Sequence, residues 1–385
     1  MDDFMKLMNE IKMNEEKNEI KMNEEKNKDK KEEKNKDKKE EKKEENKMNE
    51  TELYQKYKST YESAFIDFGQ HALFLWCAFY AMYYFKNSYM TIFTIPFTSF
   101  MLLRTFIVFH DCQHESYTPS PVVNNILSHI TGVFILTSSN WILDHNTHHL
   151  TNGNKENKYN YKFNELLYWN LNQYKKFDKK HKSIFCFFHT PIVFFTFFPF
   201  LYFFIIQRFI YILKKFTYKD KIKWDMYTIF FNHIVNNIGI YVIYYMTYKY
   251  NIFIQFLLSS YISCILDFLL FFNQHTYNPC YVVGNEEWTQ KNSGIIGSSF
   301  IQLPWFLKFF YMGIEYHHIH HMNAKIPGYN IQKYHEEVIK KSDMFDSIIK
   351  LSLWDCYQNL WLVLYDEDAK KYIRLDELEE KDKIK

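Results

Sequence analysis

Four long apolar segments constrain this chain more than any other feature. They run over Ala64–Tyr84, Tyr89–Val108, Met226–Thr247 and Ile252–Phe272. Each is long enough for a helix to cross the apolar part of a bilayer, which takes about 20 residues. Short loops, Lys86–Ser88 and Tyr248–Asn251, join the segments in pairs. The sequence therefore predicts an all-α multi-pass membrane protein with about four transmembrane helices in two antiparallel hairpins.

A fifth apolar stretch, Phe187–Leu213, is long enough to cross but contains Pro191 and Pro199. A lysine-rich loop follows it between Lys214 and Lys223. Proline interrupts helices, and lysine favours the cytoplasmic side of a membrane. We therefore expect this stretch to dip into the membrane or lie on it. With four crossings, the N-terminus and the C-terminus share the cytosolic face.

The first 50 residues differ from all that follow. They are Lys, Glu and Asn with almost no apolar side chain, and KMNEEKN occurs at Lys12 and again at Lys21. Such a run cannot bury a core, so residues 1–50 are expected to be a disordered tail and 51–385 a membrane domain. The tail also explains why the mean hydropathy is only -0.38.

Charge and cysteine content exclude some functions. The formal net charge is +2, so no strong field points to nucleic acid. Six scattered cysteines without a C-x-x-C pair argue against a disulfide framework and fit a reducing cytosolic face. A charged tail precedes the first apolar run, so insertion is expected to use an internal segment. The final KDKIK matches the dilysine pattern for return to the endoplasmic reticulum.

Three tight groups of histidines carry the chemical signal. They are HDCQH from His110, HNTHH from His145 and HHIHH from His317, and His275 in NQHTYN follows the last apolar segment. Helix positions i, i+3 and i+4 share one face, so each group presents two or three imidazoles in one direction. Every group lies at or beyond a segment end, on the expected cytosolic side. The pattern predicts a metal site in a cytosolic helical cap.

The number of histidines bears on the metal. A structural zinc needs only four ligands, and eight or nine histidines are too many for it, so two ions sharing them is the natural count. Neutral imidazole suits zinc, copper, iron and nickel. Spacing alone does not separate these metals.

Longer motifs around the histidines resemble a known family. HDCQHES, WILDHNTHHLTNGN and EYHHIHHMNAKIPGYN resemble the three histidine boxes of membrane fatty-acid desaturases, in the family's order. FNQHTYNP resembles the family's additional QH element, and LYDEDAKKYI resembles the tail of acyl-lipid omega-type desaturases. The resemblance covers about Ala64 to Ile373. Gln113 stands where many relatives have glycine and Thr147 at a variable position, and neither removes a ligand.

The resemblance implies a site of two iron ions that uses O2 to desaturate the acyl chain of a lipid or of coenzyme A. The implied ligands are His110, His114, His145, His148, His149, His275, His317, His320 and His321. The chain has no flavin or dinucleotide glycine motif and no HPGG signature. A separate small b-type cytochrome or a ferredoxin is therefore implied as electron donor, with the membrane lipid as surroundings.

Several polar neighbours are candidates for a second layer around the metal. Metal-bound imidazoles usually donate their other N–H to a carboxylate or carbonyl, and the candidates near the clusters are Asp111, Asp144, Asn273 and Glu315. Each is equally well an ordinary polar residue beside a cluster. His318 points about 100° from His317 on an ideal helix, so we place it in that layer, although spacing does not decide firmly between them. Asp267 lies inside an apolar segment, where a carboxyl group is costly, and we expect a role in helix packing or in a substrate tunnel.

Two other functions remain open from the sequence. A membrane di-iron hydroxylase would use the same ligands, because the outcome depends on how the substrate is placed. A metal transporter without chemistry predicts histidines along an ion path inside the spans, where only His71 and His233 lie, each alone.

Overall fold

The computed structural model describes residues 50–156, 169–210, 212–213 and 225–378. The charged tail up to residue 49, the lysine-rich loop and KDKIK, which carry predictions above, lie outside these residues. Contacts divide the chain into two units, Met1–Leu53 with Lys340–Ser342, and Tyr54–Ile339 with Asp343–Lys385. The features described below lie in the second unit, apart from the ends of two helices that extend into the first.

The described chain begins with a run of helices. They are α1 (Glu50–Tyr57), α2 (Tyr61–Tyr84), α3 (Thr91–Gln113) and α4 (Pro121–Phe134), followed by a 3₁₀ turn (Ser139–Trp141) and α5 (Ile142–Thr151). The Thr60 hydroxyl accepts a hydrogen bond from the Ser63 N–H, and the Ser63 hydroxyl accepts one from the Thr60 N–H. This capping box starts α2. Pro121 begins α4 behind the cap residue Ser120.

A second run of helices crosses the middle of the sequence. It contains α6 (Leu171–Lys175), α7 (Lys179–His189), α8 (Pro191–Phe200), α9 (Met226–Lys249) and α10 (Phe253–His275). α8 continues into a π turn (Leu201–Ile205) and a 3₁₀ turn (Ile206–Arg208). Pro191 stands at the first position of α8, where its missing N–H is harmless, and Pro199 is followed by the irregular turns. Both prolines are thereby accommodated in one long apolar rod.

Length and composition identify the helices able to cross a membrane. α3, Pro191–Arg208 and α10 qualify among the described residues, and the pair Pro121–Phe134 and Ser139–Thr151, bent by 106°, would make a fourth span if counted as one. The multi-pass helical architecture is confirmed. Of the four predicted spans, α3 and α10 belong to this set. α2 and α9, each 24 residues long, do not, and they contain polar residues such as Asp67 and Asn236. The fifth apolar stretch, in contrast, is long and apolar enough to cross.

α3 is the central helix of the membrane part. It packs against α2, α4 and α10. Leu103, Ile107 and Val108 are fully buried there and join Leu270 of α10 in one core cluster. Between helices in lipid, close packing supplies the attraction, because lipid tails are as apolar as leucine. The packing fixes the ends of α3 and α10 side by side, and both ends carry histidine.

The last part of the chain forms a cap of short elements. These are α11 (Gln290–Ile295), β1 (Ser299–Ile301), α12 (Trp305–Tyr311), α13 (His317–Met322), α14 (Gly328–Lys341), β2 (Ile349–Leu351), α15 (Leu353–Asn359), β3 (Leu362–Asp366) and β4 (Lys371–Arg374). β1 pairs with β2 in parallel, and β3 with β4 in an antiparallel hairpin formed by the LYDEDAKKYI motif. The cap also contains these two small sheets, which the sequence did not indicate.

Candidate metal centre

The first box lies where α3 ends. His110 is in the last turn and His114 is the C-terminal cap residue. Their rings lie 4.8 Å apart, as expected for positions i and i+4. The end of the central helix thus aims two imidazoles in one direction.

The second box lies on α5, which runs at a sharp angle to α4 after the bend. His145 and His149 lie one turn apart on one face, and His148 lies on the neighbouring face. The indole of Trp141 stacks on the His145 ring at 4.1 Å between centroids. This stacking fixes the orientation of the imidazole.

The third box is the short helix α13. A tight turn precedes it, with Met312 and Gly313 both at positive φ. A Cβ on Gly313 would lie 2.2 Å from the carbonyl oxygen of Gly328, so only glycine fits this turn. The turn reverses the chain after α12, so that the buried histidines of α13 lie beside the ends of α3 and α10.

The ring nitrogens of nine histidines converge into two groups. Within each group all nitrogens lie within 4.8 Å of one another. The first group holds His110, His114, His145, His149 and His320, and the second holds His148, His275, His317 and His321. These are the nine residues that the resemblance implied. Their role as ligands stays a prediction, but the structure brings all of them together.

The spacing within the groups suits a shared ion. In the first, His145 Nε2 lies 3.0 Å from the Nε2 atoms of both His110 and His149. In the second, His275 Nε2 lies 2.9 Å from His148 Nε2 and 3.0 Å from His317 Nε2. Two imidazole nitrogens at right angles on one ion, each about 2.1 Å from it, are about 3 Å apart.

Electrostatics also suit a metal. Burial lowers the pKa of His317, His320 and His321 well below the usual 6.5, and the neighbouring histidines lower it further. These imidazoles are therefore neutral at pH 7, with one nitrogen lone pair free to coordinate. Both groups, as far as the described residues go, consist of histidine alone. A set of neutral nitrogen donors fits iron, zinc, copper or nickel.

Two contacts orient imidazoles from behind. Asp111 Oδ1 lies 3.1 Å from His110 Nδ1, while Oδ2 accepts the Gly328 N–H at 2.6 Å. His275 Nδ1 lies 3.2 Å from the carbonyl oxygen of Gly297. Asp111 was among the predicted partners. Gly297 was missed, because a backbone carbonyl leaves no mark in the sequence.

The other predicted partners lie elsewhere. His318 Nε2 is 3.3 Å from His335 Nδ1, on the side of α13 away from the groups. Asn273 donates to the carbonyl of Leu269 and accepts from the Asn359 amide.

Glu315 and Asp144 are the two remaining predicted partners. Glu315 is buried, neither of its oxygens has a hydrogen-bond partner among the described residues, and burial raises its pKa to about 7. Asp144 is buried in the wall of the cavity described next.

A cavity of about 720 Å³ reaches the histidines. His110, His145 and His317 form part of its wall, and most of the remaining wall is apolar and aromatic, with Phe106 and Phe268 among the lining residues. Asp267 also lines it and is 6% exposed. An apolar cavity of this volume, with buried imidazoles in its wall, can hold a hydrocarbon chain beside a metal centre.

Surface side chains also touch the backbone of the boxes. The Lys325 ammonium donates to the carbonyl oxygen of His114 at 2.7 Å, and the Gln290 amide donates to that of His149 at 3.2 Å. Sequence reasoning missed both, because they lie far along the chain from the boxes they contact.

The fold and the site together define a class: a multi-pass helical membrane protein with histidine clusters suited to binding metal. The family model for fatty acid desaturases matches residues 87–348, and the chain belongs to this family. Membership makes it an oxidoreductase of lipid metabolism, and the resemblance seen in the sequence is confirmed at the level of the superfamily.

Individual relatives agree. A fatty acid desaturase of Bacillus subtilis (strain 168) is 29% identical over 277 residues, which is 71% of this chain and 74% of the relative. An acyl-lipid omega-3 desaturase (cytochrome b5) of the endoplasmic reticulum from Arabidopsis thaliana is 40% identical over 53 residues, 14% of each chain. A chloroplastic omega-3 fatty acid desaturase from Sesamum indicum is 35% identical over 75 residues, 19% of this chain and 17% of the relative.

Proposed function

We propose that this chain introduces a cis double bond into a fatty-acyl chain, using O2, two external electrons and two iron ions held by the nine histidines. The observation that carries the proposal is the cavity, because it joins an apolar space to both histidine groups through His110, His145 and His317. A transporter without chemistry has no use for a hydrocarbon-sized space at that position.

The histidines would hold the metal and leave the chemistry to it. Two iron ions, when bound, supply the activation of O2 and the removal of hydrogen from two adjacent methylenes. The chain's own part is to keep the imidazoles neutral and to fix their directions through Asp111 and the Gly297 carbonyl. The proposed oxidation of an unactivated C–H bond needs a redox-active metal, which zinc is not, and the family resemblance favours iron.

The cavity wall would bind the substrate. Aromatic residues of α8 and α10, among them Phe194, Phe198 and Phe268, line it between the helices. Such a wall excludes water and holds an acyl chain in one path, so that the same pair of carbons lies at the metal centre each time. The substrate is an acyl group carried by a lipid or by coenzyme A.

The electron balance requires a donor. Removing two hydrogens from the chain supplies two electrons, whereas reducing O2 to two waters takes four. The other two electrons and two protons come from outside, and we assign the electrons to a separate small b-type cytochrome or a ferredoxin. The name of the Arabidopsis relative, which includes cytochrome b5, supports the first of these.

The same relative supports a location in the endoplasmic reticulum. We place both termini and the histidine cap on the cytosolic face, where a soluble electron donor can reach the metal centre. Lys325 and Gln290, which contact the backbone of the boxes, would then face that donor.

The proposal is tested by expressing the chain in a host without polyunsaturated lipids and analysing the acyl chains by mass spectrometry. We expect new double bonds, and two irons per chain in the purified protein. New hydroxyl groups in place of double bonds would instead assign the chain as a hydroxylase. Zinc in the purified protein with unchanged acyl chains would overturn the enzyme proposal.

A further inference from the structure

Two parts of the cap place tryptophan at the same edge. β1 and β2 run in parallel, with Ile301 beside Leu351. Each strand leads within a few residues into a short helix, and Trp305 begins α12 while Trp354 is the second residue of α15. The tryptophans are 84% and 67% exposed. The parallel register thus sends two exposed indoles off the same end of the small sheet.

The exposed residues continue around both helices. Phe306 of α12 and Leu353 and Tyr357 of α15 are also largely exposed. Together with Trp305 and Trp354 they form what we call the aromatic edge. So many large apolar side chains on one side of a protein mark a surface that something else covers.

The opposite faces of the two helices share one core. Leu307 and Tyr311 of α12 and Cys356 of α15 pack against a single cluster that includes Leu103 of α3 and Leu270 of α10. Leu103 lies about two turns before His110, within the span. α12 therefore lies against the side of α3, and Cys356 places α15 against the same cluster.

α12 reaches still further along the spans. Phe310 contacts Phe97 and Phe100 of α3, at ring distances of 6.2 and 5.2 Å, and Phe309 contacts Phe74 of α2 at 5.2 Å. Phe97 is about 20 Å along the helix from His110 at the helical rise. A segment beside the middle of a span is at the depth of the acyl chains.

One backbone carbonyl at this depth has a side-chain donor, as a lipid setting favours. The Arg104 guanidinium donates to the carbonyl oxygen of Phe309, lies over the Phe309 ring at 4.3 Å and pairs with Asp67. Lys308, the one charged residue of α12, is half-buried and long enough to direct its ammonium group to the membrane surface. Asp355 of α15 caps its own helix through Ser352.

We propose that the aromatic edge is inserted into the bilayer, so that α12 and α15 form one lipid-seated wedge beside the spans. The partner is the bilayer lipid at the boundary between headgroups and acyl chains, where tryptophan and tyrosine accumulate. α12, which carries part of the edge, packs through Phe309 on α2 and through Phe310 on α3, and its place beside these long apolar helices argues for lipid over a soluble protein.

The wedge also has a position relative to the cavity. Leu360 follows α15 directly, and Leu360, Leu362 and Val363 belong to the cavity wall. Seating α15 in lipid therefore fixes one wall of the cavity at the membrane surface.

Fluorescence in nanodiscs tests the wedge without reference to catalysis. The metal-loaded chain is placed in phosphatidylcholine nanodiscs with or without bromine on the acyl chains, as wild type, Trp305→Phe, Trp354→Phe and the double variant. The emission lost on substituting Trp305 and Trp354 is the emission of these two residues. Bromine on the acyl chains should quench it, and aqueous iodide should quench little of it. Trp288, whose indole donates to the Asn152 carbonyl in the cap, is the matched control, and Trp288→Phe should leave the bromine-sensitive part unchanged.

The opposite result overturns the wedge. If iodide quenches Trp305 and Trp354 and bromine does not, the aromatic edge faces water and belongs to a soluble partner. Metal content measured on each variant shows that the cap is intact. Fluorescence quenching does not depend on catalysis. A result that contradicts the wedge therefore does not contradict the proposed desaturation, and the absence of desaturation does not contradict the wedge.

Discussion

The two histidine groups share two helices and differ in the third. α5 and α13 each supply nitrogens to both groups, whereas α3 supplies two imidazoles to the first group and α10 supplies only His275 to the second. The first group therefore has five nitrogens and the second has four. An i, i+4 pair at one helix end and a single histidine at the other create this asymmetry.

The support behind the groups differs as well. A carboxylate, Asp111, lies behind His110 in the first group, and a neutral carbonyl, that of Gly297, lies behind His275 in the second. A carboxylate partner makes an imidazole a stronger donor than a carbonyl partner does. The first group should therefore bind its ion more tightly than the second, and substitutions can test that difference.

The largest effect is expected from removing a nitrogen on α13. His320→Ala removes one nitrogen donor from the first group, and His321→Ala removes one from the second. Because an ion with fewer ligands is held less tightly, each variant should lower iron content by more than half and product by more than about 100-fold. Metal analysis and acyl-chain mass spectrometry measure both. His318→Ala is the matched control on the same helix and should keep its iron. Iron retained in both ligand variants would show that the groups are not the metal site.

A smaller effect is expected from the support behind His110. Asp111→Asn keeps the size of the side chain and removes its charge, so metal affinity should fall by about 10- to 100-fold. Competition with a chelator measures the affinity. Glu115→Gln, an exposed carboxylate nearby, should have no effect. If both substitutions lower the metal affinity equally, the negative charge near the first box is responsible, and the contact between Asp111 and His110 is not.

Substitution of Asp267 distinguishes the role of the cavity from that of the histidine groups. Asp267→Leu should leave iron content unchanged, because Asp267 belongs to neither group. It should change the ratio of products from longer and shorter acyl chains by about tenfold. The reason is that a buried polar group in an apolar wall disfavours contact with methylenes. Mass spectrometry of products from mixed acyl chains measures this. Asp267→Asn should behave like the wild type, and loss of iron in either variant would assign Asp267 a structural part in the metal centre.

The smallest effect concerns the pair His318 and His335, the histidines that α13 keeps away from the metal. Burial, and then nearby Lys350, lower the pKa of His335 to about 4. The folded state therefore binds fewer protons than the unfolded state, and stability is lost as the pH falls from about 6.5 to about 4. The contribution is about 1.4 kcal/mol for each unit by which the pKa is lowered.

His335→Gln tests this pH dependence. The variant should lose less stability than the wild type between pH 6.5 and 4, measured as the midpoint of thermal unfolding in detergent. Identical pH profiles for the two proteins would remove His335 from the acid response.

Local spacing explains how much of the site the sequence could predict. Ligands one turn apart, such as His110 and His114, follow from helix geometry, and His275 follows from its position at the end of an apolar segment. The assignment to groups does not follow, because His148 and His149 are neighbours and yet belong to different groups. Helix geometry turns the two side chains about 100° apart, but which ion each one faces depends on the tertiary placement of α5 beside the ends of α3 and α10.

The same limit applies to the fold. Long apolar helices such as α3 and α10 were predicted closely, because length and composition are local properties. The pairing of β1 with β2 joins three-residue strands about 50 residues apart, too short for a periodic pattern. Asn273 meets Asn359 across 86 residues, so no neighbouring letter could show that contact.

The sharing of α5 and α13 has a consequence for assembly. An ion bound in either group would order both helices and so prepare the nitrogens of the other, which makes uptake of the second ion easier than uptake of the first. Half-loaded molecules should therefore be scarce, and a population short of iron should divide into empty and fully loaded chains.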